Sequence, residues 1–224
     1  VTVFKTSEEC AVELIAYTQA IGDGVMDRFP AQAARVSFAN DRTAHSGAQD
    51  AKLINYLADH EHLTPFEYQH ATLMIECPLF IRSQIHRHRT FSFNEISRRY
   101  TDEDIEFWIP TIFRKQAETN RQASDGVFAA DDSAGLKQNY MTECKAQERT
   151  YFRYLEVGVA REQARAILPQ SLLTRFYMGG NLRNWAHFLK LRLDGHAQPE
   201  VQIVAQKVHT ILHGLWPTSL EALM

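Results

Sequence analysis

Residues 87–100 read Arg-His-Arg-Thr-Phe-Ser-Phe-Asn-Glu-Ile-Ser-Arg-Arg-Tyr, and the rest of the chain is best read outward from them. Arg87, Arg89, Arg98 and Arg99 crowd around one carboxylate, Glu95. A surface helix would sort polar groups to one face and apolar groups to the other. Here Phe91, Phe93 and Tyr100 are interleaved with Ser92, Asn94 and Ser97, so no stripe forms. Guanidinium, amide, hydroxyl and carboxylate groups in one run suit a pocket for an anionic, hydrogen-bonding ligand. Two blander readings stay open. Arginine-rich runs are often solvated faces, and arginines mixed with aromatics can form a stacking platform for single-stranded nucleic acid. His86 and His88 could ligate zinc. Without a cysteine or acidic residue at finger-like spacing, no metal site is expected.

The chain has 224 residues and 45% hydrophobic content, enough for one substantial core and a single domain over residues 1–224. The net charge is −3 and the pI about 6.4, which argues against a general nucleic-acid binder. Positive charge gathered locally on a mildly acidic chain favours a small phosphorylated ligand. No apolar run reaches the ~18 residues of a membrane span. The run Val1-Thr2-Val3-Phe4 is too short for a signal peptide, and a start without Met reads as processed or trimmed. Cys10, Cys77 and Cys144 are odd in number and widely spaced, as for free thiols in a reducing cytoplasm.

Taken in order, Val1–Lys5 reads as a short strand and Glu8–Ala20 as a helix ended by Gly22-Asp23-Gly24. Ala33–Phe38 reads as a helix or helix end. Ser46-x-x-Gln49 has the form of a capping box and opens a helix bearing Leu53, Ile54 and Leu57. Pro65 biases Thr64 away from helix, and a strand follows to Cys77, ended by Pro78. Leu79–His86 reads as a short helix whose last turn aims Gln84 and Arg87 at one pocket. Residues 101–132 read as irregular, with 115–132 a loop or short helix. Leu136–Val157 is expected to be a long packing helix, Ala160–Leu168 a second helix and Ser171–Tyr177 a strand. Met178-Gly179-Gly180-Asn181 is expected to turn, with Asn181 capping a helix that carries Arg183, His187 and Arg192. A final helix spans Glu200–Leu212, closed by Gly214 and Pro217.

The opening run resembles, position by position, the signature R-H-R-x-x-S-x-N-E-x-S-x-R of the flavin-dependent thymidylate synthases. The similarity continues at Arg35–Ser37, at His62-x-Thr64-Pro65-Phe66-Glu67, at Arg165-x-x-Leu168-Pro169, at Asn181-x-Arg183 and at Leu191–Glu200. The resemblance implies an α+β fold with a central, mostly antiparallel sheet flanked by helices. It also implies a homotetramer with FAD between subunits. The implied reaction converts dUMP to dTMP, with methylenetetrahydrofolate as carbon donor and NADPH as reductant. On the same grounds dUMP would be held by Gln84, Arg87, Glu95, Ser97, Arg98, Arg99, Arg165 and Arg192. FAD would be held by Ser37, Thr64, Arg87, His88, Arg89, Glu95, Asn181, Arg183 and His187, although relatives often have Asn where His187 stands. No metal, nucleic-acid or membrane partner is implied.

The residue chemistry agrees with these assignments. Planar, permanently charged guanidinium groups such as Arg99 and Arg165 match a phosphate. Arg192 is expected to be the principal catalytic residue, because it cannot act as a base but can stabilise charge developing on a uracil ring. Ser97 lacks a neighbouring base, so it is expected to bind substrate and not attack it. Asp194 and His196 are expected to hold the turn after Arg192.

Overall fold

The computed structural model describes residues 2–21, 25–37, 45–120 and 123–224. The expected break at Gly22-Asp23-Gly24 and the end of the Ala33–Phe38 segment lie outside the described residues. The elements run β1 (Val3–Lys5), β2 (Val12–Tyr17), α1 (Phe29–Val36), α2 (Gly47–Asp59), a 3-10 turn (Thr64–Tyr68), β3 (His70–Pro78), α3 (Leu79–Ile85) and β4 (Ser92–Glu95). They continue with β5 (Glu106–Trp108), β6 (Arg114–Gln116), β7 (Ser124–Val127), α4 (Ala130–Glu156), α5 (Arg161–Ala164) and a further 3-10 turn (Arg165–Ile167), and Met26–Arg28 forms another ahead of α1. The chain closes with β8 (Leu173–Asn181), α6 (Leu182–Arg192), α7 (Pro199–Leu215) and α8 (Pro217–Leu223).

The central sheet is four-stranded and antiparallel, in the order β2-β3-β8-β4. The expected mixed fold and antiparallel sheet are therefore present. A parallel pair β1-β5 and a small β6-β7 hairpin stand apart from it. Side chains alternate across a strand. Ala71, Leu73 and Ile75 of β3 and Phe176 and Met178 of β8 therefore face one way and are buried. They form one core with Trp185, Phe188 and Leu189 of α6 and Val201, Val204, Ala205 and Val208 of α7. Each fully buried Val, Leu, Ile, Phe or Met among them contributes about 1.5–3 kcal/mol. The opposite face carries Thr72, Met74, Arg175, Tyr177, Ser92 and Asn94, none of them buried.

Four expectations about elements are corrected. The run expected as a helix over Glu8–Ala20 contains β2, because Val12 and Leu14 pair with Ile75 and Leu73 and complete the sheet. Met178-Gly179-Gly180-Asn181 does not turn but finishes β8, paired with β3 as far as Asn181. Its glycines are needed for a close approach: a Cβ on Gly180 would lie 2.5 Å from the Phe91 ring. Residues 115–132 supply the β6-β7 hairpin and the start of α4, and Pro217 opens a further helix at its first turn.

Two local caps form as expected. The capping box is complete: Ser46 Oγ accepts from the Gln49 amide, and Gln49 Oε1 accepts from the Ser46 amide at 2.8 Å. Asn181 caps α6, its Oδ1 accepting from the Asn184 amide at 2.9 Å. All three cysteines are free and buried. Burial pushes the Cys10 thiol up to about 12 and Cys77 well above the usual range, so neither offers a ready thiolate. Among the described residues no helix is long and apolar enough to cross a membrane, and no cluster of three His, Cys, Asp or Glu could hold a metal.

Candidate active site

The signature run leaves α3, turns through Arg87–Thr90 and becomes β4, which among the described residues is an edge strand paired only with β8. This path separates its side chains. His88 points inward and is buried, ringed by Phe91, Phe188 and His187. Arg87 and Arg89 point outward, exposed, with no ion pair or side-chain hydrogen bond to any described residue. Glu95 does not pair with the arginines of its own run. Its Oε1 accepts from Arg82 Nε at 3.0 Å and from Thr174 Oγ1 at 2.7 Å. Sequence spacing could not reveal this, because Arg82 and Thr174 come from α3 and β8.

Arg192 ends α6 directly over His88. Its Nε donates to His88 Nε2 at 3.0 Å, and one terminal nitrogen donates to the Gln84 carbonyl at 3.1 Å. Burial, then the Arg192 charge, then His187 push the His88 imidazole down to about 4. His88 is therefore neutral and accepts from Arg192. The other terminal nitrogen of Arg192 has no hydrogen-bond partner among the described residues. Half-buried and clamped at two points, Arg192 presents its remaining N–H groups in a fixed direction.

Arg98 is buried, with its guanidinium engaged by the chain itself. Its guanidinium donates to the carbonyls of Glu103 and, at 2.8 Å, Asp104, so it orders the loop after β4. Arg99 is exposed, 3.7 Å from Glu162 and stacked over Tyr100. Ser97 Oγ accepts from the Arg99 amide at 3.3 Å, and no base among the described residues hydrogen-bonds to it. Arg165, just past α5, is exposed without a described partner. Asp194 Oδ1 accepts from both the amide and the Nδ1 of His196, at 2.7 and 2.9 Å, which holds the expected turn.

Ser37 and Thr64, far apart in sequence, line one cavity of about 360 Å³ with Ala33, Ala34, Leu57, His62, Pro65 and Tyr68. The end of α1 is held there by Arg35, whose buried guanidinium, with that of Arg28, grips the fully buried Asp50 carboxylate. Beside it Arg183 Nη1 meets Glu67 Oε1 at 2.5 Å. A second cavity of about 300 Å³ is lined by Asn181, Asn184, Thr90, Ser92, Thr72, His70, Gly179 and Gly180. The donor set fits a dinucleotide-type cofactor. Apolar walls with hydroxyls at their rim suit a flat ring, and the unpaired guanidinium groups of the signature suit phosphates. Reading the sequence alone missed His62, Tyr68 and Asn184 as lining residues, and Arg82 as the partner of Glu95.

Comparison with known proteins agrees with this geometry. The family model described as "Thymidylate synthase complementing protein" matches residues 13–218. A flavin-dependent thymidylate synthase of Thermus thermophilus is 42% identical over 199 residues, which cover 88% of this chain and 71% of that protein. One of Kosmotoga olearia is 40% identical over 213 residues, covering 94% and 89%. Among solved structures, a UMP/dUMP methylase of Streptomyces cacaoi bound with 5-Br dUMP superposes with a TM-score of 0.86 at 30% identity. That superposition covers 98% of this chain and 96% of the other. The antiparallel sheet and its flanking helices are thus a fold shared with that methylase. The chain belongs to the family of flavin-dependent thymidylate synthases.

Proposed function

We propose that this protein methylates dUMP to dTMP, with FAD as its cofactor, methylenetetrahydrofolate as carbon donor and NADPH as reductant. The observation that carries the reading is Arg192, clamped by neutral His88 and the Gln84 carbonyl beside a signature run whose outer arginines are unpaired. Bound FAD supplies the redox chemistry of the methyl transfer. Ser37 and Thr64 offer it hydroxyls, and Asn181, Arg183 and Arg89 offer it donors from α6 and the signature turn. Arg99 and Arg165 hold the dUMP phosphate as planar cations. Ser97 hydrogen-bonds to the nucleotide and is not a nucleophile. Arg192 stabilises negative charge on the uracil carbonyls through paired N–H donors, and its half-buried setting strengthens that effect.

Arg87 and Glu95 serve both ligands. His187 reaches the flavin from α6, 6.0 Å from His88. The active form is a homotetramer, with FAD held between chains. The test is the visible spectrum of the purified protein, followed by assay with dUMP, methylenetetrahydrofolate and NADPH. Flavin bands that bleach with NADPH, with dTMP as product, are expected. UMP is assayed in parallel, because a second structure of the Streptomyces enzyme, with a TM-score of 0.84, carries 5-Br UMP. A colourless protein that retains nucleic acid would sink the proposal.

A further inference from the structure

Behind Gln84 a line of polar side chains runs away from the nucleotide site. Gln84 Nε2 donates to Gln198 Oε1 at 2.5 Å, and Gln198 Nε2 donates to Glu200 Oε2 at 2.8 Å. Glu200, in the first turn of α7, is 6% exposed and paired through both oxygens with Arg114 of β6, at 2.8 and 2.9 Å. Three separate parts of the fold therefore meet in one chain of hydrogen bonds.

The chemistry gives this chain a direction. The carboxamide of Gln has a donor end and an acceptor end of nearly equal size, and alone it can sit either way round. An ionised carboxylate only accepts. Glu200, with the Arg114 guanidinium on it, forces Gln198 to point its NH₂ group backward and its carbonyl toward Gln84. Gln84 must then return its own NH₂ group, which leaves its Oε1 as the free end. The backbone of the same residue accepts from Arg192, so Gln84 is fixed at both ends.

We propose that Arg114, Glu200 and Gln198 are positioning residues that hold the Gln84 side-chain carbonyl toward the bound nucleotide as a hydrogen-bond acceptor. The proposal rests on the reading above that Gln84 contacts dUMP. Its ligand partner must be a donor, and a uridine nucleotide offers the ring N3–H or the sugar 3′-hydroxyl.

The test uses calorimetric binding to the flavin-loaded protein. The ligands are dUMP, N3-methyl-dUMP and the 2′,3′-dideoxy nucleotide. The wild type should bind one of the two analogues about 3- to 10-fold more weakly than dUMP, the worth of one neutral hydrogen bond. Which analogue suffers identifies the donor. In Glu200→Gln the direction of the chain is lost. dUMP should weaken by a similar factor, the analogue's penalty should disappear, and KM should rise while kcat at saturating dUMP holds. Gln198→Met leaves the Arg114–Glu200 pair intact and should give the same result, which covers a Glu200→Gln protein that does not fold. If both variants keep the analogue's penalty, or if the wild type penalises neither analogue, the proposal fails alone. A wild type that neither binds dUMP nor forms dTMP overturns it together with the function it rests on.

Discussion

Arg192 and His88 illustrate how a pair of side chains can set both charge and direction. The Arg192 Nε–H needs an acceptor, and only a neutral imidazole with a bare Nε2 supplies one. Arg192→Ala should therefore keep its flavin and still bind dUMP, yet make dTMP about 10²–10³ times more slowly at saturating dUMP, the usual loss for a donor aimed at developing charge. Recovery of normal turnover at high dUMP would reduce Arg192 to a phosphate anchor. The His88 value of about 4 in the folded chain lies below the unfolded imidazole's ~6.5. As pH falls, the unfolded chain therefore takes up this proton first, and the folded state loses stability relative to it. The contribution of neutral His88 is complete above pH ~6.5 and is lost as pH falls toward the folded value. Melting temperatures followed from pH 7 to 4 should show this slope in the wild type and less of it in His88→Gln. A His88 ring resonance titrating near its unperturbed value would contradict the geometry.

Elements whose identity depends on their own residues were legible, and those decided by neighbours were not. The box at Ser46 and Gln49 and the cap at Asn181 are local, and each forms where the sequence places it. Strand β2 is decided by its partner: Val12–Tyr17 has residues a helix would accept, but the edge of β3 needs a strand there. The Gly179-Gly180 pair was misread because glycine marks turns more often than tight packing. The signature run exposed the site, but not that Glu95 would pair with Arg82 or that His88 would be buried. At Gly180 the packing gives a measurable outcome. The Phe91 ring that a Cβ would strike is wedged against Trp185 at 4.6 Å and Phe188 at 6.5 Å, so it has little room to retreat. Gly180→Ala should cost about 1–3 kcal/mol of stability, as overpacked cores do. It should lower the thermal midpoint, and Phe91→Leu in the same chain should restore part of the loss. An unchanged midpoint would show that the sheet can shift to make the space.

At the scale of the whole molecule, a single chain leaves its functional surfaces open. The outward face of the central sheet carries a partly exposed Met74 and an exposed Tyr177. Helix α4 is 27 residues long yet buries only Cys144 and Tyr151, while Leu136, Phe152 and Tyr154 remain exposed along it. A helix of that length with so little burial is not held by propensity alone. Arg87, Arg89 and Arg165 stand exposed without described partners, and the cavities of Ser37–Thr64 and of Asn181–Asn184 are separate openings. Self-association would bring such surfaces together, cover the apolar patches and enclose a ligand too large for either cavity. Light scattering on the flavin-loaded protein should give four times the chain mass of 25.7 kDa. Diluting it until the assembly separates should release flavin in step with the fall in mass, because binding between chains ties the two equilibria together. A monomer that keeps both its flavin and full activity would place the whole site within one chain and remove the reason for the exposed face of the sheet.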